Sequence, residues 1–100
     1  MAFGIKKEEL SDWKEKVLRG DIAFITHYWY DERFPDCYCV TKVGCSDVIR
    51  LKEWGLENGL KTEWIHHRGE FPHFDLLGQK QVEILKKYQL IDHLRRFKLI

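Results

Sequence analysis

The sequence lacks both a long apolar run and a charge bias, and each absence excludes a class of protein. Its 17 Lys and Arg balance 16 Asp and Glu, so the formal net charge is only +1. Such a balance argues against a dedicated nucleic-acid-binding domain. No window approaches the ~20 consecutive apolar residues of a membrane-spanning helix. The N-terminal segment becomes charged at Lys6, too early for a secretory signal.

Cysteine is scarce, and its number and spacing are both informative. Three cysteines, Cys37, Cys39 and Cys45, cannot all pair within one chain. Together with the absence of an export signal, this favours a reduced, cytoplasmic protein. Cys37 and Cys39 also lack the turn that normally separates paired zinc ligands. We therefore favour buried thiols over a structural zinc site.

Several motifs that define large enzyme classes are missing. The phosphate-binding loop, the glycine fingerprint of dinucleotide-binding folds, His-Glu-x-x-His and Gly-x-Ser-x-Gly do not occur. These absences weaken the hypotheses of a nucleotide hydrolase, a dinucleotide-dependent enzyme, a metalloprotease or a serine hydrolase.

The residues that are present predict one small mixed α+β domain spanning 1–100. Hydrophobic residues make up 44% of the chain, enough for one core. Apolar periodicity predicts helices over 6–19, 47–58 and 79–88, and a last helical turn after Asp92. Alternating or β-branched segments predict strands over 22–30, 37–43 and 73–77. Because the first strand begins apolar on both faces, we expect it to be the central one.

Polar side chains with catalytic potential follow the first strand and begin the second helix. His27 and Asp31 lie at the end of the first strand, where α/β sheets commonly bind ligands. Asp47, with Ser46 as the alternative, is placed to cap the second helix. These positions predict a ligand site at the strand ends.

The segment His73-Phe74-Asp75 carries the sharpest local pattern. In an extended strand His73 and Asp75 point to the same side, about 6.6 Å apart, while Phe74 enters the core. Imidazole and carboxylate could bind a divalent ion such as Zn, Mn or Fe. They could equally form a dyad in which the carboxylate orients the imidazole, or a surface turn in which Asp75 binds backbone amides. Of His66 and His67, at most one can share a site with His73.

Three segments carry a resemblance to a known family. Residues 26–35 (Thr-His-Tyr-Trp-Tyr-Asp-Glu-Arg-Phe-Pro), 40–47 and 72–78 resemble the YneQ-like small proteins of Bacillus relatives. More distantly, the order of motifs is similar to a bacterial domain of unknown function with a His-Tyr-Asp signature. Phe74 replaces the tyrosine of that signature, which excludes a role for its hydroxyl here. The resemblance implies a grouping without a mechanism, and it implies that Asp31, Asp47, His73 and Asp75 form one site.

Two functional hypotheses remain open. The first is a small-ligand or metal site, with a divalent ion held by His73 and Asp75 as one version. Its candidate catalytic residues are His73, Asp75, Asp31, His27 and Asp47. The alternative is a protein- or nucleic-acid-binding module that uses an exposed aromatic and basic patch. The residues of that patch are Trp29, Tyr30, Arg33 and Phe34. We rank the ligand site slightly higher.

Overall fold

A three-stranded antiparallel sheet carries the helices in the computed structural model, which describes residues 5–100. The helices are α1 (Lys7–Leu18), α2 (Val48–Glu57), α3 (Gly78–Lys87) and α4 (Ile91–Arg96). The strands are β1 (Ala23–Tyr28), β2 (Cys39–Gly44) and β3 (His73–Leu76), and a 3₁₀ turn spans Thr62–Trp64. The observed order confirms the predicted α+β class and the succession of helices and strands.

The central strand is β2, so the prediction that the first strand is central is wrong. The strands lie in the order β1-β2-β3, which leaves β1 at an edge. Its two faces are apolar because helices cover both of them. Ala23 and Ile25 pack against Trp13 and Val17 of α1, whereas Phe24 contacts the core on the opposite face.

The sheet has one face buried under three helices and one face covered only in part. On the buried face Phe24 lies opposite Val43, and Val43 lies opposite Phe74. This row packs on side chains of α2 and α3, notably Leu51, Trp54 and Ile84. Leu94 of α4 and Phe97, which follows that helix, are also buried, and Phe97 contacts the Tyr28 ring. The other face carries the row Ile25, Lys42 and Asp75, in the same register. We call this second surface the open face, because α1 covers only its Ala23–Ile25 end.

A glycine in α2 brings that helix close to the sheet. Gly55 is buried, and a Cβ at this position would overlap the Phe74 ring. A glycine normally weakens the interior of a helix. In the structure α2 continues through it, because the absent side chain makes room for Phe74.

Replacing Gly55 should therefore destabilise the fold even though alanine is the better helix former. We expect Gly55→Ala to lower the free energy of unfolding by about 1–3 kcal/mol through overpacking against Phe74. Urea unfolding followed by circular dichroism measures this change. Lys52→Ala, at an exposed position of the same helix, is the control and should stay within about 0.5 kcal/mol of wild type. A Gly55→Ala protein as stable as wild type would contradict the packing described.

Candidate functional site

The open face of the sheet forms the floor of a cavity of about 550 Å³. Aromatic and aliphatic side chains make up part of its wall, among them Trp13, Ile25, Trp29 and Phe71. Its polar lining includes His27, Lys42, His66, His73 and Asp75. The cavity therefore combines apolar walls with a few titratable groups.

Of the five candidate residues, the structure brings three together and places two elsewhere. His27, His73 and Asp75 line the cavity, whereas Asp31 and Asp47 are not part of its wall. The pairing of β1 with β2 explains the separation, because Asp31 and Asp47 follow opposite ends of that antiparallel pair.

Asp31 and Asp47 both have local partners. The Asp31 carboxylate accepts hydrogen bonds from the Arg33 side chain, the shortest at 2.6 Å. These bonds and the backbone N–H of Arg33 lower the pKa of Asp31 to about 2. Asp47 caps α2 as predicted, accepting the backbone N–H of Arg50 at 3.1 Å. Both carboxylates therefore serve local structure in the observed fold.

His27 presents an unpartnered basic nitrogen. Its ring is 5% exposed, and Nδ1 lies 2.9 Å from the Tyr28 carbonyl oxygen. Because a carbonyl can only accept, Nδ1 carries the proton and donates it. Burial lowers the pKa of His27, which favours the neutral ring. Its Nε2 is then a hydrogen-bond acceptor, buried and without a partner among residues 5–100.

His73 has the same tautomer for the same reason. Its Nδ1 donates to the Phe71 carbonyl at 2.9 Å, and burial lowers the pKa of the ring. The backbone of His73 pairs with that of His66 through bonds of 2.8 and 3.1 Å. This bridge stacks the two imidazoles, with ring centroids 5.3 Å apart.

The Asp75 carboxylate lies between these two imidazoles. Oδ2 is 3.2 Å from Nε2 of His66, and Oδ1 is 3.6 Å from Nε2 of His73. His66 is thus the second histidine of the cluster. Within the described chain no three His, Cys, Asp or Glu side chains are arranged to hold one metal ion. Metal binding by His73 and Asp75 alone stays a prediction.

Lys42 is a cavity residue that the sequence did not place among the candidates for the ligand site. It lies directly opposite Asp75 in the sheet, the usual geometry for an opposite-charge pair. Asp75 instead lies against the two histidines, and the half-buried Lys42 side chain makes no hydrogen bond or ion pair with residues 5–100. A lysine within the apolar run of β2 was the available signal.

A second polar cluster lies on the buried face and fixes another histidine. Gln81 donates to the Thr41 hydroxyl at 3.0 Å, and Thr41 contacts Thr26 at 2.7 Å. Thr26 Oγ1 lies 2.8 Å from Nδ1 of His93. Either hydroxyl can donate in the contact between Thr41 and Thr26, and the bond to Thr26 satisfies Nδ1 of His93 in either tautomer of the ring. Burial lowers the pKa of this ring as well.

Fold and cavity together define a small α+β protein with a ligand-sized cavity on the less covered face of its sheet. No helix among the described residues is long and apolar enough to cross a membrane. No protein-family model and no solved structure matches the chain.

A curated relative places the chain in a family. It is 60% identical over 99 residues to the Bacillus subtilis (strain 168) protein named "Uncharacterized protein YneQ", covering 99% of this chain and 100% of the relative. The chain therefore belongs to the YneQ family, which confirms the resemblance found in its sequence.

Three histidines whose pKa values burial lowers should make the fold sensitive to acid. His27, His73 and His93 have lowered pKa values in the folded state, so the unfolded chain binds protons first as the pH falls. Stability should be complete above about pH 6.5, the pKa of an unperturbed histidine, and should decline below it. Urea unfolding across this range measures the slope.

Replacing His93 measures how much this one imidazole contributes to the pH dependence of stability. His93→Gln keeps an acceptor for Thr26 but cannot titrate, and it should reduce the acid slope. His67→Gln, at an exposed position, controls for the loss of a histidine as such. Stability that is unchanged or rises as the pH drops through about 6.5 would contradict the assignment.

Proposed function

We propose that this protein binds a small polar molecule in the cavity of the open face. The observation that carries the proposal is the buried His27 Nε2, which has no partner among the described residues. An unsatisfied buried acceptor costs about 1–3 kcal/mol, and it is uncommon in native structures. A ligand that donates to this nitrogen would remove the cost.

The cavity has the composition that small-molecule sites usually have. Its volume, about 550 Å³, lies within the roughly 300–1,000 Å³ typical of ligand pockets. Apolar and aromatic walls supply contact area, and a few convergent polar groups supply orientation. Three side chains singled out by the sequence, His27, His73 and Asp75, are among those polar groups.

The polar groups of the cavity could also transfer protons to or from a bound molecule. The two neutral imidazoles of His27 and His73 each carry a free lone pair on Nε2, which suits a general base. Asp75 lies close enough to His73 to stabilise a proton gained by that ring. Asp31 and Asp47 have no part in this proposal, because both lie outside the cavity. A divalent ion at His73 and Asp75 is the competing occupant.

A protein-binding patch is the second candidate, and exposure favours it. Tyr30 is 73% exposed and Phe34 41% exposed, with the Arg33 guanidinium 5.5 Å from the Phe34 ring centre. Arg33 is already engaged by Asp31, which weakens a role in binding nucleic-acid phosphates. The patch therefore supports contact with a protein better than contact with RNA or DNA.

An NMR screen separates these occupants. We expect some members of a library of small polar molecules to shift the amide signals of Ile25, Val40 and Lys42 and the indole signal of Trp29. Divalent ions form a separate arm, and shifts confined to His73 and Asp75 in that arm would favour the metal. Shifts confined to Tyr30 and Phe34, or none at all, would contradict the proposal.

We expect Lys42 to contribute to ligand binding and not to the stability of the fold. Because the Lys42 side chain is half-buried and makes no ion pair within residues 5–100, we expect Lys42→Met to raise the free energy of unfolding by about 0.5–1 kcal/mol. The same change should abolish binding of any anionic molecule found in the screen. Lys52→Met, on the exposed side of α2, is the matched control. A destabilised Lys42→Met protein would show that this lysine has a structural role.

A further inference from the structure

The open face also specifies what kind of molecule fits the cavity. We propose that the ligand is a flat organic acid whose anionic group binds Lys42 and whose hydroxyl or N–H group donates to His27 Nε2. This inference rests on the proposed function and goes further by naming the ligand class.

The positive charge of the cavity favours an anion. Three full cations, Lys14, Lys42 and Arg68, line it against a single carboxylate, Asp75. That carboxylate is already in contact with His66 and His73, at 3.2 and 3.6 Å. Lys14 stands over the Phe71 ring at the cavity wall, 5.5 Å from its centre. Lys42 is consequently the cation on the cavity floor, and it forms no ion pair within the described chain.

The tautomer of His27 favours a donor at a second point of the ligand. Its Nδ1 proton is committed to the Tyr28 carbonyl, which leaves Nε2 able only to accept while the ring is neutral. The nearby Lys42 ammonium disfavours a second cation, and it lowers the pKa of His27 further. A neutral O–H or N–H group therefore suits this position better than an ammonium group.

The register of β1 and β2 sets the spacing of His27 and Lys42 along the cavity floor, and this spacing favours a particular ligand shape. Ile25 lies opposite Lys42, and His27 lies opposite Val40, so these four residues form a square on the sheet. His27 and Lys42 occupy one diagonal, on which Cα atoms are about 7–8 Å apart. Ile25 and Val40 occupy the other diagonal and are both buried and apolar. A flat apolar body bearing polar groups at its two ends matches this pattern.

Three related probes test the inference by NMR titration of the full chain. 4-Hydroxybenzoate carries both groups, 4-methoxybenzoate lacks the donor, and methyl 4-hydroxybenzoate lacks the charge. We expect 4-hydroxybenzoate to bind at least about tenfold more tightly than either of the others, with shifts centred on Ile25, Val40 and Lys42. Lys42→Gln should reduce its affinity to that of the methyl ester, while Lys52→Gln should leave it unchanged.

The outcomes distinguish the inference from the proposed function. Equal affinities of the three probes at the cavity would overturn the ligand class and leave small-molecule binding intact. The ligand class is also overturned, again without loss of small-molecule binding, if the cavity signals shift only with library members that are not flat organic acids. If neither the probes nor any library member shifts those signals, both proposals fail.

Discussion

The pairing register of the sheet is the constraint on which the rest of the structure depends. It aligns Phe24, Val43 and Phe74 on the face covered by α2 and α3, and it thereby places Lys42 and Asp75 together on the other face. Because strand side chains alternate, a slip of one residue would bury the charged row and expose the core row. Burying those charges is unfavourable, so the observed register is preferred, and it fixes the residues of the cavity floor as well as those of the core.

The helices cover the two faces of the sheet unequally, and the cavity lies on the face with less cover. Three helices close the buried face, where the polar groups Thr26, Thr41 and Gln81 satisfy one another. Among the described helices only α1 packs on the open face, which leaves room for a cavity. There His27 and Lys42 have unmet bonding capacity within the described residues. Within the described residues the buried side-chain atoms without a partner are His27 Nε2 on the open face and Trp54 Nε1 on the buried face, and of the two residues only His27 lines the cavity.

Local sequence patterns predicted the helices and strands and the buried face of the third strand. They did not predict which strands pair or which strand is central. Period-two alternation placed Phe74 in the core and His73 and Asp75 on one face, as the structure shows. The strand-end argument did not anticipate that Arg33 would engage Asp31. Lys42 and His66 join the site through β2–β3 pairing and an isolated bridge, and one sequence cannot reveal such contacts.

The most direct test of the account is the protonation state of His27, measured by long-range ¹H–¹⁵N NMR on the ligand-free protein. The structure predicts a neutral ring at neutral pH with the proton on Nδ1, an unprotonated Nε2, and a pKa below the usual histidine value. A proton on Nε2, or a charged ring at neutral pH, would remove the unpartnered acceptor and with it the basis for the proposed site.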